Sequence, residues 1–184
     1  MSATLKDATS VTAQWCRDIQ EFSQLCGGLL AIVHPNLFRE CIDSYDRFRE
    51  DPATYIRVPE VFDRALEGWA NPFSGLALIS NRATPTHRDN SSRDHWYDVL
   101  TTLGRYENLV LSVPETGLTF SYDPGTMVAL SGRALEHMVP EANGERVCFA
   151  YFVRDKVHAH AGSLGGDWPT AETVLCDYRT RTDS

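Results

Sequence analysis

The sequence lacks the features of a secreted, disulfide-rich or membrane-spanning protein. No apolar run approaches the length of a membrane span, and no apolar signal region opens the chain. The five cysteines are scattered without a Cys-x-x-Cys pair, which argues against a disulfide framework and favours free thiols in a reducing compartment. These absences predict an intracellular protein, cytoplasmic or nuclear, with no signal peptide and no membrane partner.

Positive charge is also scarce. The chain carries 17 Lys and Arg residues against 25 Asp and Glu residues, which gives a formal net charge of −8. The acidic side chains are spread along the sequence and are not gathered in a tail. This balance excludes a broad basic surface for a nucleic-acid backbone, although a local basic patch is compatible with it.

The first 70 residues have the periodicity of amphipathic helices. Apolar side chains recur at helical spacing in residues 10–26, 36–50 and 59–69. We expect Gly27-Gly28 to end the first helix and Asn36 to cap the second. Between them, "LLAIV" (29–33) predicts a short buried strand.

The pattern changes after residue 70, where short β-branched and aromatic runs alternate with turn signals. Eight strand candidates occupy residues 75–80, 84–89, 98–103, 109–113, 118–122, 126–130, 134–139 and 146–153. Their close spacing predicts an antiparallel sandwich or barrel, with the preceding helices covering one sheet. The length of 184 residues favours one α+β domain. We divide it into helical support (1–70), β core (71–155) and a C-terminal tail (156–184) that packs back through its apolar residues.

A His-x-Asp motif lies in "TPTHRDN", at the end of the second strand candidate. Positions i and i+2 of a strand face the same side, so His87 and Asp89 should converge. His137, in a later strand candidate, would complete a set of two imidazoles and one carboxylate. That set leaves open positions on a metal, as non-haem Fe(II) oxygenases require. For the His-x-Asp motif alone, a charged surface turn is the alternative.

The other histidines are weaker metal ligands by their sequence context. His34 precedes Pro35 at a helix entry, and His95 lies in a polar loop. His158 and His160 are two apart and could chelate an ion, but no carboxylate lies near them in strand phase. We therefore expect the last two to be surface histidines or histidines with ordinary hydrogen-bond partners.

Arg146 begins the most apolar strand candidate, "RVCFAYFV". A charge at the head of a buried strand costs free energy unless it is paired. Cys148, Ala150 and Phe152 share its face and would line a pocket, in which the guanidinium could bind a carboxylate in bidentate geometry. The alternative is a strand-end arginine that reaches water or pairs with a nearby glutamate.

Taken together, these residues resemble a known family. The order His87-x-Asp89, then His137 after "PGTMVALSGRALEH", then Arg146 is similar to the Fe(II)/2-oxoglutarate-dependent dioxygenase superfamily. The segments "NRATPTHRDN", "DVLTTLG" and "YDPGTMVALSGRALEH" resemble, more narrowly, the compact fungal TET/JBP-like oxygenase group. The resemblance covers about residues 75–155. It implies a double-stranded β-helix (jelly-roll) core with N-terminal supporting helices.

The resemblance also implies roles for individual residues. His87, Asp89 and His137 would hold Fe(II), and Arg146 would pair with the distal carboxylate of 2-oxoglutarate. Asn81 lies where some relatives use an asparagine to hold the other end of this co-substrate. Capping of the turn that follows is an equally weighted alternative for Asn81.

The activity implied is hydroxylation of a C–H bond with 2-oxoglutarate and dioxygen. TET and JBP relatives oxidise the methyl group of a pyrimidine base in DNA, which requires the base to be flipped out. Arg82, Arg88 and Arg93 surround the His-x-Asp motif and could contact phosphates of methylated DNA or RNA, although a solvated charged loop is the alternative. A small-molecule or peptide hydroxylase and a catalytically inactive, cupin-like binding protein both stay open.

Overall fold

The computed structural model describes residues 10–57, 59–163 and 166–182. The chain forms two compact units, one of residues 1–75 and 156–184 and one of residues 76–155, and each is described by itself. Within the described residues, no helix has both the length and the apolar character needed to cross a membrane. The division into support, core and tail within a single domain stays a prediction.

The first unit is helical. Its helices are α1 (Ser10–Asp18), α2 (Gln20–Val33), α3 (Pro35–Glu50), α4 (Pro52–Tyr55), α5 (Pro59–Gly68), α6 (Asp155–His160, whose first residue belongs to the second unit) and α7 (Ala171–Thr182). The amphipathic segments predicted from the sequence are therefore helical. α6 and α7 were not predicted. Trp168 and Leu175 of the tail are 49% and 53% exposed, and the packing of the tail stays a prediction.

Helix α2 continues through the residues expected to end it. Its buried positions follow helical spacing and are Ser23, Cys26, Gly27 and Leu30. The predicted stop at Gly27-Gly28 and the predicted strand at 29–33 are both wrong, because a short apolar run fits a buried helix as well as a strand. Position 27 has no room for a side chain, because a Cβ added to Gly27 would lie 2.7 Å from Cδ of Pro72.

Helix α3 begins one residue earlier than predicted, at Pro35. Its cap is His34, whose Nδ1 accepts a hydrogen bond from the Leu37 N–H at 3.2 Å. The prediction of Asn36 as N-cap is thus wrong, because proline is favoured at the first helical position and shifts the cap to the residue before it. His34 is fully buried, and its role is structural.

The second unit contains eight strands in two antiparallel sheets. The strands are β1 (Gly75–Ser80), β2 (Thr84–His87), β3 (Asp98–Tyr106), β4 (Val110–Val113), β5 (Leu118–Ser121), β6 (Met127–Leu130), β7 (His137–Val139) and β8 (Gly144–Phe152). One sheet has the order β1-β8-β3-β6 and the other β2-β7-β4-β5. All eight strand candidates are confirmed within a few residues, and so is the α+β class with its double-stranded β-helix core.

The core of this unit lies between the two sheets. A buried cluster combines residues of both sheets and of the segments between strands, namely Tyr106, Leu109, Leu111, Val113, Tyr122 and Val139. The longest pairing joins β3 to β8 from Val99↔Tyr151 to Tyr106↔Gly144. This pairing sets Gly104 opposite Arg146 and Thr102 opposite Cys148, which carries a guanidinium into the interior.

Candidate metal centre

Strands β2 and β7 bring two histidines together from distant parts of the chain. The two strands pair antiparallel, and His87 lies opposite His137 after a shift of register within β2. The centroids of the two imidazole rings are 4.3 Å apart. The register of one strand pair therefore places both rings on the same face.

Asp89 completes the group from a loop. β2 ends at His87, so the strand-phase argument for Asp89 does not describe how it is held. Its N–H instead donates to the carbonyl of Gly132 at 2.8 Å. Asp89 Oδ1 is 3.6 Å from Nε2 of His87, and Oδ2 is 3.8 Å from Nε2 of His137. One ligand atom from each of the three residues lies within 4.8 Å of the other two, which confirms the predicted triad.

The hydrogen bonds of both imidazoles leave one nitrogen directed at the triad. Nδ1 of His87 is 2.9 Å from the carbonyl oxygen of Pro85, and Nδ1 of His137 is 3.2 Å from that of Leu135. A carbonyl only accepts, so Nδ1 carries the proton and the Nε2 lone pair is available to a metal. Burial lowers the pKa of His137 from its ordinary value, which favours the neutral imidazole. This donor set fits a divalent ion such as Fe(II).

A second carboxyl contacts the triad and was missed in the sequence. Asp98, the first residue of β3, is 3% exposed, and burial raises its pKa well above the ordinary value, helped by the charge of Asp89. Oδ2 of Asp98 lies close to Oδ2 of Asp89, since the two are 3.1 Å and 2.3 Å from the point that a Cβ added to Gly132 would occupy, and Oδ1 of Asp98 is buried with no hydrogen-bond partner among the described residues. The available signal was weak, since an acidic residue at the start of a strand is usually solvated.

Arg146 is buried, with 3% of its surface exposed. Its Nε donates to Oγ1 of Thr102 at 3.1 Å, and its guanidinium carbon is 5.4 Å from the centre of the Tyr122 ring. Nη1 is buried and has no hydrogen-bond partner among the described residues. An unsatisfied buried donor is costly. A carboxylate bound here would accept a hydrogen bond from Nη1 and satisfy it, so the site fits a dicarboxylate such as 2-oxoglutarate.

Hydroxyl groups hold the guanidinium in place. Oγ1 of Thr102 is 2.6 Å from the hydroxyl of Tyr106, which donates to the carbonyl of Tyr122 at 3.0 Å. Such a connected network fixes the direction of the arginine side chain. These residues were missed because aromatic and β-branched residues in strands usually indicate core packing.

One cavity of about 230 Å³ joins the triad to Arg146. The side chains of Cys148, Ala150 and Phe152 line it, as predicted from strand alternation. Asn90, Ser91, Ser92 and Arg154 line it as well. The metal donors and the buried guanidinium therefore face a common space.

Asn81 contacts strand β8 rather than this cavity. Its Oδ1 accepts from the N–H of Arg146 at 2.7 Å, and its Nδ2 donates to Glu145 at 2.6 Å. It has a φ of 48° and does not belong to the cavity lining. These contacts support a structural role at the end of β1, and its role in co-substrate binding stays a prediction.

The arginines around the His-x-Asp motif lie outside the cavity lining. Arg88 pairs with Glu115, and Arg93 pairs with Asp155. Arg82 is exposed. Their contact with phosphates stays a prediction. The acidic partners of Arg88 and Arg93 make such contact less favourable, because these guanidinium groups are already paired.

His158 and His160 have ordinary partners within the helical unit. His158 is buried, with its ring nitrogens 3.6 Å from Sγ of Cys41 and 3.2 Å from Oγ of Ser163. Nε2 of His160 is 2.8 Å from the carbonyl oxygen of Tyr55. The prediction that this pair has hydrogen-bond partners of its own is confirmed.

Comparison with known proteins identifies the family. No curated protein sequence matches this chain. Solved structures do match, and one of them, NgTET1 in complex with 5mC DNA, is 15% identical with a TM-score of 0.42. The match covers 69% of this chain and 58% of that chain, so less than two thirds of the NgTET1 chain is spanned. The Tet_JBP family model, the oxygenase domain of the 2OGFeDO superfamily, matches residues 2–155. The chain therefore belongs to the Tet_JBP family and contains a 2-oxoglutarate-Fe(II) dioxygenase domain.

Proposed function

We propose that this protein binds Fe(II) and 2-oxoglutarate and hydroxylates the methyl group of a methylated nucleobase. The observation that carries the first part is the common cavity. It is lined by three metal donors within 4.8 Å of one another and by a buried guanidinium whose Nη1 has no partner among the described residues. The second part is supported by membership of the Tet_JBP family.

Different residues would bind the metal and the co-substrate. His87, Asp89 and His137 would hold the iron, and Arg146 would bind the distal carboxylate of 2-oxoglutarate. When bound, iron with 2-oxoglutarate and dioxygen supplies the oxidative decarboxylation that hydroxylates a C–H bond. The chain itself orients the imidazoles through their Nδ1 hydrogen bonds and holds the guanidinium through Thr102.

The family and the size of the site support a methylated base as the substrate. By the resemblance described above, TET and JBP relatives oxidise a methyl group on a pyrimidine. A cavity of about 230 Å³ suits a small planar group and not a duplex, so a base would have to leave its stack to enter. Ser91, Ser92 and Asn90 offer hydroxyl and amide groups to such a base along the cavity wall.

The test is a screen with two readouts. Succinate formation from 2-oxoglutarate, with Fe(II) and ascorbate, measures co-substrate turnover, and mass spectrometry of digested methylated DNA and RNA oligonucleotides detects the oxidised base. We expect both signals from the wild type and neither from His137→Ala. Metal and 2-oxoglutarate binding without succinate would instead assign a catalytically inactive, cupin-like binding protein.

A small-molecule hydroxylase is the second candidate, and charge favours it. The net charge is −8, and Arg88 and Arg93 already pair with acidic side chains. Contacts with phosphates would make oligonucleotide turnover fall steeply between about 50 and 200 mM salt. Turnover of a free nucleoside, amino acid or metabolite that ignores salt, with no oxidation of oligonucleotides, would select this candidate.

A further inference from the structure

The backbone of Asp89 is anchored on the turn that follows β6. Its N–H donates to the carbonyl of Gly132 at 2.8 Å. The turn is itself closed by hydrogen bonds, since the Leu135 N–H donates to the carbonyl of Ser131 at 3.0 Å and the Ala134 N–H to its Oγ at 3.2 Å. Gly132 is therefore held in place by this turn, and its carbonyl anchors the backbone of Asp89.

The space at Gly132 is filled by the Asp89 carboxylate. A Cβ added to Gly132 would lie 2.3 Å from Oδ2 of Asp89 and 3.2 Å from its Cγ. Gly132 is not among the glycines with positive φ. Its backbone would accept any residue, so it is the position of the Asp89 carboxylate that requires glycine here.

Asp98 borders the same space. Its Oδ2 lies 3.1 Å from the point that the Gly132 Cβ would occupy. Asp98 is buried, with 3% of its surface exposed, whereas the side chain of Asp89 is 41% exposed. An added Cβ would therefore displace the Asp89 carboxylate, which has room to move, rather than Asp98.

We propose that Gly132 is a positioning residue that holds the Asp89 carboxylate toward His87 and His137. Its carbonyl anchors the Asp89 backbone, and its missing side chain leaves the room that the carboxylate occupies. This inference rests on the metal centre of the proposed function. Partners of metal-bound carboxylates typically change metal affinity by about 10–100-fold when they are replaced.

The test measures Mn(II) affinity of the full chain by calorimetry, without any substrate. We expect Gly132→Ala to weaken binding at least about tenfold. Gly28→Ala is the matched control, because a Cβ at Gly28 meets nothing within 4 Å and its φ is not positive.

Thermal unfolding of the metal-free variants in chelator separates positioning from loss of fold. Comparable unfolding temperatures for Gly132→Ala and the wild type, with different Mn(II) affinities, would support positioning. A weaker Mn(II) affinity that comes with a lowered unfolding temperature would overturn it in favour of a structural role. Wild-type affinity in Gly132→Ala would also overturn this inference and leave the proposed function intact. Failure of the wild type itself to bind Mn(II) would overturn the metal centre of the proposed function.

Discussion

At the scale of single residues, Arg146 separates co-substrate binding from metal binding. We expect Arg146→Leu to weaken 2-oxoglutarate binding by about 2–5 kcal/mol, because one co-substrate carboxylate would then be buried without a partner. Arg146 is not one of the three metal donors, so Mn(II) affinity should stay within about threefold. Calorimetric titration of each ligand measures the two effects.

Arg105→Leu is the matched control for this prediction, since Arg105 is exposed on the neighbouring strand β3. It should leave 2-oxoglutarate binding unchanged. Wild-type affinity for 2-oxoglutarate in Arg146→Leu would contradict the role of Arg146 in binding this ligand. Arg154, which also lines the cavity, would then be the next residue to replace.

Thr102 should have a smaller effect on the same ligand. Its hydroxyl accepts from Nε of Arg146 at 3.1 Å and leaves Nη1 available. Thr102→Val keeps the shape but removes this hydrogen bond, which contributes about 0.5–1.5 kcal/mol. We expect 2-oxoglutarate affinity to fall by about two- to tenfold, measured by the same titration. A loss as large as that of Arg146→Leu would show that Thr102 contacts the co-substrate itself.

The site residues that could be predicted are those that one short segment of the sequence makes recognisable. His87, Asp89 and Arg146 stand out because of a local motif and an isolated charge in an apolar strand. Asp98 and Gly132 could not be found in this way, because their importance comes from contact with Asp89 across the fold. Even Asp89 was placed for a reason that differs from the actual one, since it lies in a loop.

At the scale of elements, helix α2 offers a comparison between two adjacent glycines. An alanine is favoured over glycine within a helix by about 1 kcal/mol. Gly28→Ala should therefore stabilise the protein by about 0.5–1 kcal/mol, because nothing lies within 4 Å of the added Cβ. Gly27→Ala should destabilise it, because its Cβ would lie 2.7 Å from Cδ of Pro72, in a rigid ring.

Urea denaturation of the two variants measures this difference in free energy of unfolding. Equal stabilisation by both substitutions would show that α2 and Pro72 do not pack as described. The same helix shows where sequence reasoning fails at this scale. Gly27-Gly28 and "LLAIV" have the local appearance of a stop and a strand, whereas the burial of Leu30 and of Cys26 maintains the helix through tertiary packing. The strands were easier to predict because turn residues separate them at short intervals.

At the scale of the whole molecule, thiol reactivity tests which cysteines are inaccessible to reagents in solution. Cys16, Cys26, Cys41 and Cys148 are buried, and Cys176 is exposed. Burial raises the pKa of Cys26 to about 12 and raises those of the other three buried thiols. A raised pKa lowers the fraction of each thiol that is present as thiolate, which is the reactive form. Iodoacetamide at about pH 8 should therefore modify Cys176 alone in the native protein, because it is the one exposed thiol among the five.

Intact-protein mass spectrometry counts the modified thiols. Cys176→Ser should remove the native reaction, and denaturant should expose the four remaining cysteines. Rapid native labelling of Cys148 would contradict the prediction and would show that reagents reach the cavity that it lines.

The pairing of His87 with His137 also has a consequence for how the protein folds. These two residues are far apart in the chain and meet only when β2 and β7 are paired in the correct register. The ligand set is therefore absent from an unfolded or misregistered chain, and loop closure must precede its assembly. A bound ion would then act as a removable cross-link between the strands, stabilising the native register by mass action. In this way the supply of metal would influence the yield of folded protein as well as its activity.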